Sequence, residues 1–354
     1  MRKIKLLFPI FLATSIMGCS SNNGKVVSLT VDASNAKTIY VTDSPLKTDN
    51  LVITATYENG KTETIKPEKC NFNKPSFSTK GNKEVEVEYQ GVKATYPIVV
   101  ASTCAESGNF ITYDIRENEN GSKVQLVSSL VGENKPFCLI FPGGGYQEVY
   151  MQQEGFEYAA KMNQRGYNAF ILKYSVKMAY PAPHDDVDFA YRLIDQNKEF
   201  FNVDVKDYMV CGSSAGGHLA ATWATKSVGY AHYGLPKPGG VILCYSANHM
   251  SSSENFLIGD KPNEELRKKL SADENVDADY PKTYMWHFDR DESCDVENAY
   301  VMDEALNKYN VPHLTHIFSG EGMTKCHGLG LAKGTVAEGW MDECFDYFEG
   351  KITK

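Results

Sequence analysis

The stretch Tyr208-Met-Val-Cys-Gly-Ser-Ser-Ala-Gly-Gly-His-Leu-Ala-Ala221 combines a short apolar strand, a glycine-rich corner and the start of a helix. Within it, Gly212-Ser-Ser-Ala-Gly216 has the G-x-S-x-G spacing of a nucleophile elbow. A serine at the tip of such a corner has a strained backbone, and small neighbours let the strand and helix approach closely enough to hold it. We therefore expect Ser214 to be a nucleophile, with the N–H of Ala215 helping to stabilise an oxyanion.

The rest of the chain after Phe110 supports this interpretation over an ordinary glycine-rich turn. Strand-like and helix-like stretches alternate there, which predicts a mostly parallel sheet with helices on both faces. The expected strands are 110–115, 124–127, 137–141, 169–174, 208–211, 240–245, 283–288 and 313–318. The expected helices are 154–165, 181–194, 218–224, 296–309 and 335–348, and residues 246–280 are expected to be irregular.

A second glycine-rich segment follows the continuous apolar run Phe137-Cys-Leu-Ile-Phe141, which is typical of a buried parallel strand. The run ends in Pro142-Gly-Gly-Gly-Tyr146. Three glycines after a core strand allow backbone N–H groups to face a bound anion without obstruction by side chains. This segment is the candidate for further oxyanion donors.

Residues 25–101 have a different pattern, with short β-rich runs separated by turn residues such as Glu58-Asn-Gly60. Their spacing predicts a small antiparallel sandwich, and their order resembles bacterial Ig-like repeats. The segment has no cluster of titratable groups, so we expect a spacer, with glycan binding as the alternative. Residues 101–109 are rich in Ser, Thr, Glu and Gly and are expected to be a linker to the catalytic domain, residues 106–350.

The chain begins with the basic segment Met1-Arg-Lys-Ile-Lys5 and an apolar run of about eleven residues, shorter than the roughly 20 that span a bilayer. The run ends in Ile16-Met-Gly-Cys19, which resembles the lipobox of bacterial lipoproteins. That resemblance implies cleavage after residue 18, lipidation of Cys19 and a tether over residues 19–24. We expect an exported protein anchored to a bacterial membrane; an ordinary secretory signal is the alternative.

Charge and cysteine content restrict the partners. The formal net charge is −9, and it becomes −12 once the segment containing Arg2, Lys3 and Lys5 is removed. Such a charge argues against nucleic acids and anionic surfaces as partners, because both require basic patches. Eight cysteines remain after Cys19, and they show neither a C-x-x-C motif nor zinc-site spacing.

Several segments occur in the order seen in α/β-hydrolase esterases. They are Pro142-Gly-Gly-Gly-Tyr146, Gly212-Ser-Ser-Ala-Gly-Gly-His218, Leu270-Ser271 with Pro281-Lys-Thr-Tyr-Met-Trp-His287, Asp291 with Val296-Glu-Asn298, and His327-Gly-Leu-Gly330. The chain is similar to the carbohydrate esterases that include acetyl xylan esterases and feruloyl-esterase-like proteins, over nearly the whole of residues 106–350. The resemblance implies an α/β-hydrolase fold that needs no metal or cofactor.

The same resemblance assigns roles to the candidate residues. It makes Ser214 the nucleophile, His327 the general base and Asp291 the acid that orients the imidazole, in the chain order Ser, Asp, His of that fold. It implies an oxyanion hole formed by Ala215 with Gly144 or Gly145. Asp289 and Asp295 lie in the same loop as Asp291 and are the alternatives for the acid.

Other polar residues are expected to have lesser roles. His287 and His249 are interpreted as structural or substrate-facing, and His218 as a packing residue. The run His184-Asp-Asp186 is interpreted as the capped start of a helix, with a metal site as the alternative. His313 and His316 lie three apart on a strand, so they face opposite sides and cannot bind one metal ion.

The loops around the acid and the histidine depart from the family pattern. Phe288-Asp-Arg-Asp291 replaces the usual small residues, and Gly322-Met-Thr-Lys-Cys326 lengthens the approach to His327. Because these loops are neighbours in the implied fold, a disulfide between Cys294 and Cys326 is a hypothesis for an oxidising compartment.

These observations predict a serine esterase that hydrolyses ester groups, foremost acetyl groups, on carbohydrates. A general short-chain carboxylesterase or a serine peptidase of the same fold is the first alternative. A non-catalytic, glycan-binding surface lipoprotein is the second. The sequence does not indicate the oligomeric state.

Overall fold

The computed structural model describes residues 24–250, Leu257 and residues 263–353. The predicted signal segment and Cys19 lie outside these residues. Within the described ranges, no helix is both long enough and apolar enough to cross a membrane.

The N-terminal module consists of two small sheets that share an apolar core. One sheet contains β1 (Val26–Asp32), β3 (Val52–Tyr57) and β4 (Thr62–Ile65), all antiparallel. The other contains β2 (Ile39–Val41), β5 (Asn71–Asn73), β6 (Gly81–Tyr89) and β7 (Val92–Ser107). Alternate residues of the strands point inward, and the core includes Leu29, Ile53, Val85, Val87 and Tyr96. The predicted sandwich is confirmed, although β2 pairs parallel with β7.

The predicted linker is wrong, because residues 101–107 are the second half of strand β7. This half pairs antiparallel with β8 (Phe110–Glu117), with Ser102 opposite Asp114 and Ser107 opposite Phe110. Residues 102–107 are mostly exposed at the edge of the sheet, where the small and polar residues of a loop are also tolerated in an antiparallel strand. One continuous strand therefore belongs to both domains.

The catalytic domain contains a large mixed sheet. Its further strands are β9 (Lys123–Ser129), β10 (Phe137–Phe141), β11 (Asn168–Lys173), β12 (Met209–Ser213), β13 (Gly240–Cys244), β14 (Thr283–Phe288) and β15 (His313–Phe318). The order across the sheet is β7-β8-β9-β11-β10-β12-β13-β14-β15. Strands β10 to β15 are parallel, whereas β7, β8 and β9 form an antiparallel flank.

Helices cover both faces of this sheet, as predicted. They are α1 (Glu157–Gln164), α2 (Ala182–Gln196), α3 (Lys198–Phe201), α4 (Ser214–Trp223), α5 (Glu264–Leu270), α6 (Glu297–Lys308) and α7 (Trp340–Phe348). Apolar residues of α2, α4 and α6 fill the core on one face, and those of α1 and α7 fill the other. Two boundaries differ from the prediction: α7 begins only at Trp340, and α5 lies within the segment expected to be irregular.

The helix start predicted at His184-Asp-Asp186 is confirmed, with a proline and Asp185 in the first turn of α2, but the predicted capping is wrong. No side chain caps the first turn of α2, and His184 and Asp186 are fully buried. His184 is hydrogen-bonded to the hydroxyl of Thr222, and Asp186 is paired with Arg116. Within the described part of the chain, no group of three or more His, Cys, Asp or Glu side chains is placed to hold a metal ion.

The module is also docked on α2. The side-chain oxygen of Gln196 accepts hydrogen bonds from the backbone N–H groups of Thr38 and Ile39, at 2.9 and 2.8 Å. Ile39 and Val41 contribute apolar side chains to the core of the catalytic domain rather than to the core of the module. The module is thus packed against the enzyme fold as well as continuous with it.

Candidate active site

The corner between β12 and α4 has the geometry that the G-x-S-x-G motif predicts. Ser214 is the first residue of α4 and has a φ of 53°, a left-handed conformation that is unfavourable for a non-glycine residue. The two glycines are required by close backbone contacts. A Cβ on Gly212 would lie 2.0 Å from the carbonyl oxygen of Gly216, and one on Gly216 would lie 2.0 Å from that of Phe141.

Loops after three parallel strands of the sheet bring three polar side chains together at this corner. Ser214 follows β12, Asp291 follows β14 and His327 follows β15. The Nε2 atom of His327 lies 2.9 Å from Oγ of Ser214, and its Nδ1 atom lies 2.7 Å from Oδ2 of Asp291. Parallel strands place their carboxyl ends at one edge of the sheet, so residues far apart in sequence meet there.

Asp291 is held in its ionised form. Its side chain is fully buried, and burial alone would raise the pKa, but hydrogen bonds from His287 and His327 keep the pKa well below the usual value. The backbone N–H groups of Ser293 and Cys294 also donate to Oδ1, at 2.9 and 2.8 Å. The imidazole of His327 therefore faces a negative charge.

The two alternatives to Asp291, namely Asp289 and Asp295, accept hydrogen bonds from other backbone N–H groups. Asp289 accepts a hydrogen bond from the N–H of Gly320 at 2.6 Å, and Asp295 accepts one from the N–H of Glu297 at 3.0 Å. His287 is fully buried, and its Nε2 lies 2.8 Å from the carbonyl oxygen of Cys294, so it supports the acid loop and does not face a substrate.

The segment 142–146, here called the glycine loop, lies beside Ser214. Gly144 has a φ of 136° and Gly145 a φ of 63°, and a Cβ on Gly144 would lie 2.2 Å from the carbonyl oxygen of Glu148. Both glycines and Ala215 line the same cavity as Ser214 and His327. The loop thus brings the backbone of Gly144 and Gly145 to the cavity that contains the serine.

One end of the glycine loop is held by a residue that sequence reasoning assigned only to packing. Nδ1 of His218 lies 2.7 Å from the hydroxyl of Tyr146, and its Nε2 lies 2.7 Å from the carbonyl oxygen of Leu270. Burial lowers the pKa of His218 to about 4, so the ring is neutral, donates to Leu270 and accepts from Tyr146. Tyr146 and His218 each end a glycine-rich motif, and this shared position is the signal in the sequence that could have suggested their contact.

The cavity at this corner has a volume of about 560 Å³. Its walls are apolar at Met250 and Leu257 and polar at Asn298 and His249. His249, interpreted from the sequence as structural or substrate-facing, lines the cavity, and its Nδ1 lies 2.9 Å from Oδ2 of Asp273. Such a mixed lining suits a ligand with an apolar part and several hydroxyl groups.

The suggested disulfide is not formed. Cys294 and Cys326 are both buried thiols in the structure. Their backbone groups serve the site instead, since the N–H of Cys294 donates to Asp291 and the N–H of Cys326 donates to Glu292.

Two family models match separate parts of the chain. The BD-FAE model matches residues 127–230, and the model of the bacterial Ig-like domain (group 3) matches residues 33–100. An endo-1,4-beta-xylanase B of Butyrivibrio fibrisolvens is 30% identical over 220 residues, which is 57% of this chain and 34% of that protein. An acetylxylan esterase of Xylanibacter ruminicola is 30% identical over 87 residues, or 24% of this chain and 18% of that protein.

The chain thus spans about a third or less of the length of these curated relatives. Among solved structures, an acetyl ester-xyloside bifunctional hydrolase from Caldicellulosiruptor lactoaceticus aligns with a TM-score of 0.59 and 31% identity. The alignment covers 67% of this chain and 94% of that one.

Sheet order, elbow and cavity together define an α/β-hydrolase joined to a small β-sandwich. The chain belongs to the BD-FAE family of α/β-hydrolases, is related to acetylxylan esterases, and carries a bacterial Ig-like domain at its N-terminal side.

Proposed function

We propose that the protein is a serine esterase that removes acyl groups, foremost acetyl groups, from carbohydrates. The observation that carries the proposal is the continuous chain of hydrogen bonds from Ser214 through His327 to Asp291, at 2.9 and 2.7 Å. A nucleophile, a base within hydrogen-bond reach and a buried ionised acid behind the base are the parts that acyl transfer requires.

In the first half of the reaction, Oγ of Ser214 attacks the carbonyl carbon of the ester while Nε2 of His327 takes its proton. The carbonyl oxygen becomes an anion that the N–H groups of Ala215 and of Gly144 or Gly145 stabilise. By analogy, one such donor contributes about 3 kcal/mol to lowering the barrier. The C–O bond then breaks, and the alcohol leaves with the proton from His327.

In the second half, a water molecule takes the place of the alcohol. His327 removes a proton from it as the oxygen attacks the acyl carbon, the bond from that carbon to Oγ of Ser214 breaks, and Oγ takes the proton back from His327 as the carboxylic acid leaves. Asp291 keeps the imidazole oriented and stabilises its charged form in both halves. The neutral His218 keeps Tyr146, and with it the glycine loop, in place throughout.

Three findings favour a carbohydrate ester as the substrate. The relatives named as an acetylxylan esterase, a xylanase and an acetyl ester-xyloside hydrolase all act, by their names, on xylan-type sugars. The cavity has both apolar and hydrogen-bonding walls. The strongly negative net charge disfavours anionic polymers.

The test is labelling of residues 20–354 with a fluorophosphonate probe, beside the variant Ser214→Ala, followed by measurement of acetate released from acetylated xylan. We expect labelling that disappears in the variant and acetate release by the wild type. Absence of labelling in a folded wild-type protein contradicts the serine mechanism and favours the non-catalytic, glycan-binding alternative.

A general short-chain carboxylesterase or a peptidase of the same fold is separated by substrate comparison. A carbohydrate esterase should have a higher kcat/KM for acetylated xylo-oligosaccharides than for p-nitrophenyl acetate, and its rate should fall as the acyl chain of p-nitrophenyl esters lengthens. Equal rates on esters of all lengths favour the general esterase, and cleavage of a p-nitroanilide favours the peptidase.

The proposed location is a bacterial membrane, facing the periplasm or the cell surface, with lipid attached to Cys19. The support is the basic and apolar leader followed by Ile16-Met-Gly-Cys19. Expression of the full chain in a bacterial host should yield a membrane-bound protein with a lipidated N-terminal cysteine by mass spectrometry, whereas Cys19→Ala should not be lipidated. An unmodified Cys19 in the wild type contradicts the anchor.

A further inference from the structure

Glu154 is a buried acid beside the proposed nucleophile. It lies in a π-helix (Met151–Phe156) between the glycine loop and α1, and it is 1% exposed. A π-helix is rare and tends to occur at functional sites. Burying a carboxylate is costly unless its oxygens are hydrogen-bonded.

Both oxygens of Glu154 have donors, and the donors come from different parts of the site. Oε2 accepts from the N–H of Gly143 at 2.6 Å, and Oε1 accepts from the hydroxyl of Tyr245 at 2.7 Å. A Cβ on Gly143 would lie 2.9 Å from Cβ of Ser214. The first hydrogen bond therefore holds the glycine loop where it passes the serine.

Tyr245 connects the second oxygen to the segment 326–330, here called the histidine loop. Its hydroxyl accepts from the N–H of Gly330 at 3.0 Å, and its ring packs edge-on against the ring of His327 with 5.0 Å between centroids. Tyr245 has a φ of 38°, a left-handed conformation that costs about 1–3 kcal/mol and persists only where the surroundings enforce it. The hydrogen bonds of its hydroxyl supply such enforcement.

We propose that Glu154 is a positioning residue that couples the glycine loop to the histidine loop, so that the oxyanion donors and the base are held in register with Ser214. This proposal rests on the proposed esterase function. Through Gly143, the carboxylate fixes the segment that presents the N–H groups of Gly144 and Gly145. Through Tyr245, it fixes the backbone and the ring face of the loop that carries His327.

A carboxylate suits this position better than its amide. Tyr245 already accepts a hydrogen bond from Gly330, so its own proton must go to an acceptor. The N–H of Gly143 also needs an acceptor. Glutamine offers one oxygen and one NH₂ group, so it can satisfy only one of the two donors.

The first test measures kcat and KM on p-nitrophenyl acetate for Glu154→Gln, Tyr245→Phe and the double variant. Removal of a positioning contact should lower kcat about 10- to 100-fold and leave KM within about twofold, because the contact aligns groups that act in the transition state. The double variant should lose no more than about twofold beyond the worse single variant, since both act through one network.

The matched control is Tyr280→Phe. It removes an equally buried hydroxyl, which donates to the carbonyl oxygen of Ala221 at 2.9 Å away from the Glu154 network. Its kcat should stay within about twofold. Tyr245→Phe removes only the hydroxyl and keeps the packing of the ring, so it still tests the network if Glu154→Gln does not fold.

The second test does not require turnover. Hydrogen exchange followed by mass spectrometry should show faster exchange in Glu154→Gln for peptides that contain both the glycine loop and the histidine loop, with Tyr245→Phe affecting the histidine loop most. The coupling is contradicted if Glu154→Gln exchanges faster in one loop only. It is also contradicted if the losses in kcat multiply in the double variant, or if the substitutions change KM alone. A wild type inactive on every ester refutes the proposed function instead, and the exchange result still decides the coupling.

Discussion

The N-terminal module and the catalytic domain differ in what they bury. The core of the module is apolar, and the buried Asp, Glu, Asn, Ser, Thr and His residues of the described ranges all lie at or after Asp114. Polar groups are costly to bury unless they are paired. Some of these buried polar groups, among them Glu154, His218 and His287, surround the candidate active site, whereas the described residues of the module bury none of these residue types.

The two regions nevertheless share one strand and one contact surface. The second half of β7 extends the catalytic sheet at its edge next to β8, and α2 accepts backbone hydrogen bonds from the module. A covered sheet edge no longer offers unpaired N–H and C=O groups for aggregation. The comparison therefore predicts that changes in the catalytic core alter activity, and that changes at the shared surface alter stability alone.

The largest expected effect comes from Asp291→Asn. Loss of the negative charge removes the orientation and stabilisation of the His327 imidazole, so kcat on p-nitrophenyl acetate should fall about 10³- to 10⁴-fold. Steady-state kinetics with circular dichroism and thermal unfolding measure the effect and show that the variant is folded.

Asp289→Asn is the control for the acid. Asp289 lies two residues earlier and accepts from Gly320 through one oxygen that an amide retains, so its kcat should stay within about threefold. A large loss in Asp289→Asn and a small one in Asp291→Asn would show that the wrong acid has been assigned.

Much of this architecture could be predicted because short segments of the sequence determine it. The continuous apolar run at Phe137–Phe141 and the small residues around Ser214 specify a buried strand and a sharp corner without reference to distant residues. The alternation of such strands with helices then determines the class of sheet. Strand positions β8 to β15 followed from this pattern.

The missed features depend on contacts between distant segments. Residues 101–107 have a loop-like composition, and only pairing with β8 makes them a strand. Glu154 has the helical spacing of a surface acid, and only the approach of Tyr245 from a separate strand end gives it a buried role. His218 likewise acquires its function from Tyr146, 72 residues earlier in the chain.

The next largest effect tests the shared surface. Gln196→Ala leaves the N–H groups of Thr38 and Ile39 without an acceptor, which should lower the free energy of unfolding by about 2 kcal/mol and leave kcat/KM within about twofold. Urea or thermal unfolding measures this change in free energy.

The control is Gln164→Ala. Gln164 also ends a helix but is exposed, so its substitution should change the free energy of unfolding by no more than about 0.5 kcal/mol. A stability unchanged by Gln196→Ala would contradict a role for this contact in joining the two domains.

A smaller effect is expected at the end of the glycine loop, where the hydroxyl of Tyr146 contacts His218. Tyr146→Phe removes the donor to Nδ1 of His218, so the glycine loop should lose order and kcat should fall about tenfold with little change in KM. Tyr233→Phe is the control, since its hydroxyl bonds Asp185 at the protein surface, and its kcat should not change. Equal effects of the two substitutions would contradict a role for the Tyr146 contact in catalysis.

The smallest effect concerns the salt bridge of 2.7 Å between Lys80 of the module and Asp114 of β8. Burial alone would raise the pKa of Asp114, but the Lys80 ammonium and the Gln125 amide hold it at about 2, below the ordinary value of 3.8. A depressed folded-state pKa contributes stability that is present above about pH 4 and lost as the pH falls towards 2. Lys80→Met should therefore destabilise the protein by less than about 1 kcal/mol at pH 6, and the difference from wild type should shrink between pH 4 and pH 2.

The control is Lys93→Met, which removes an exposed ion pair within the module and should not measurably change the stability at about pH 6 or about pH 2.5. A difference for Lys80→Met that is the same at pH 6 and pH 2.5 would mean that the ion pair does not help to join the two domains.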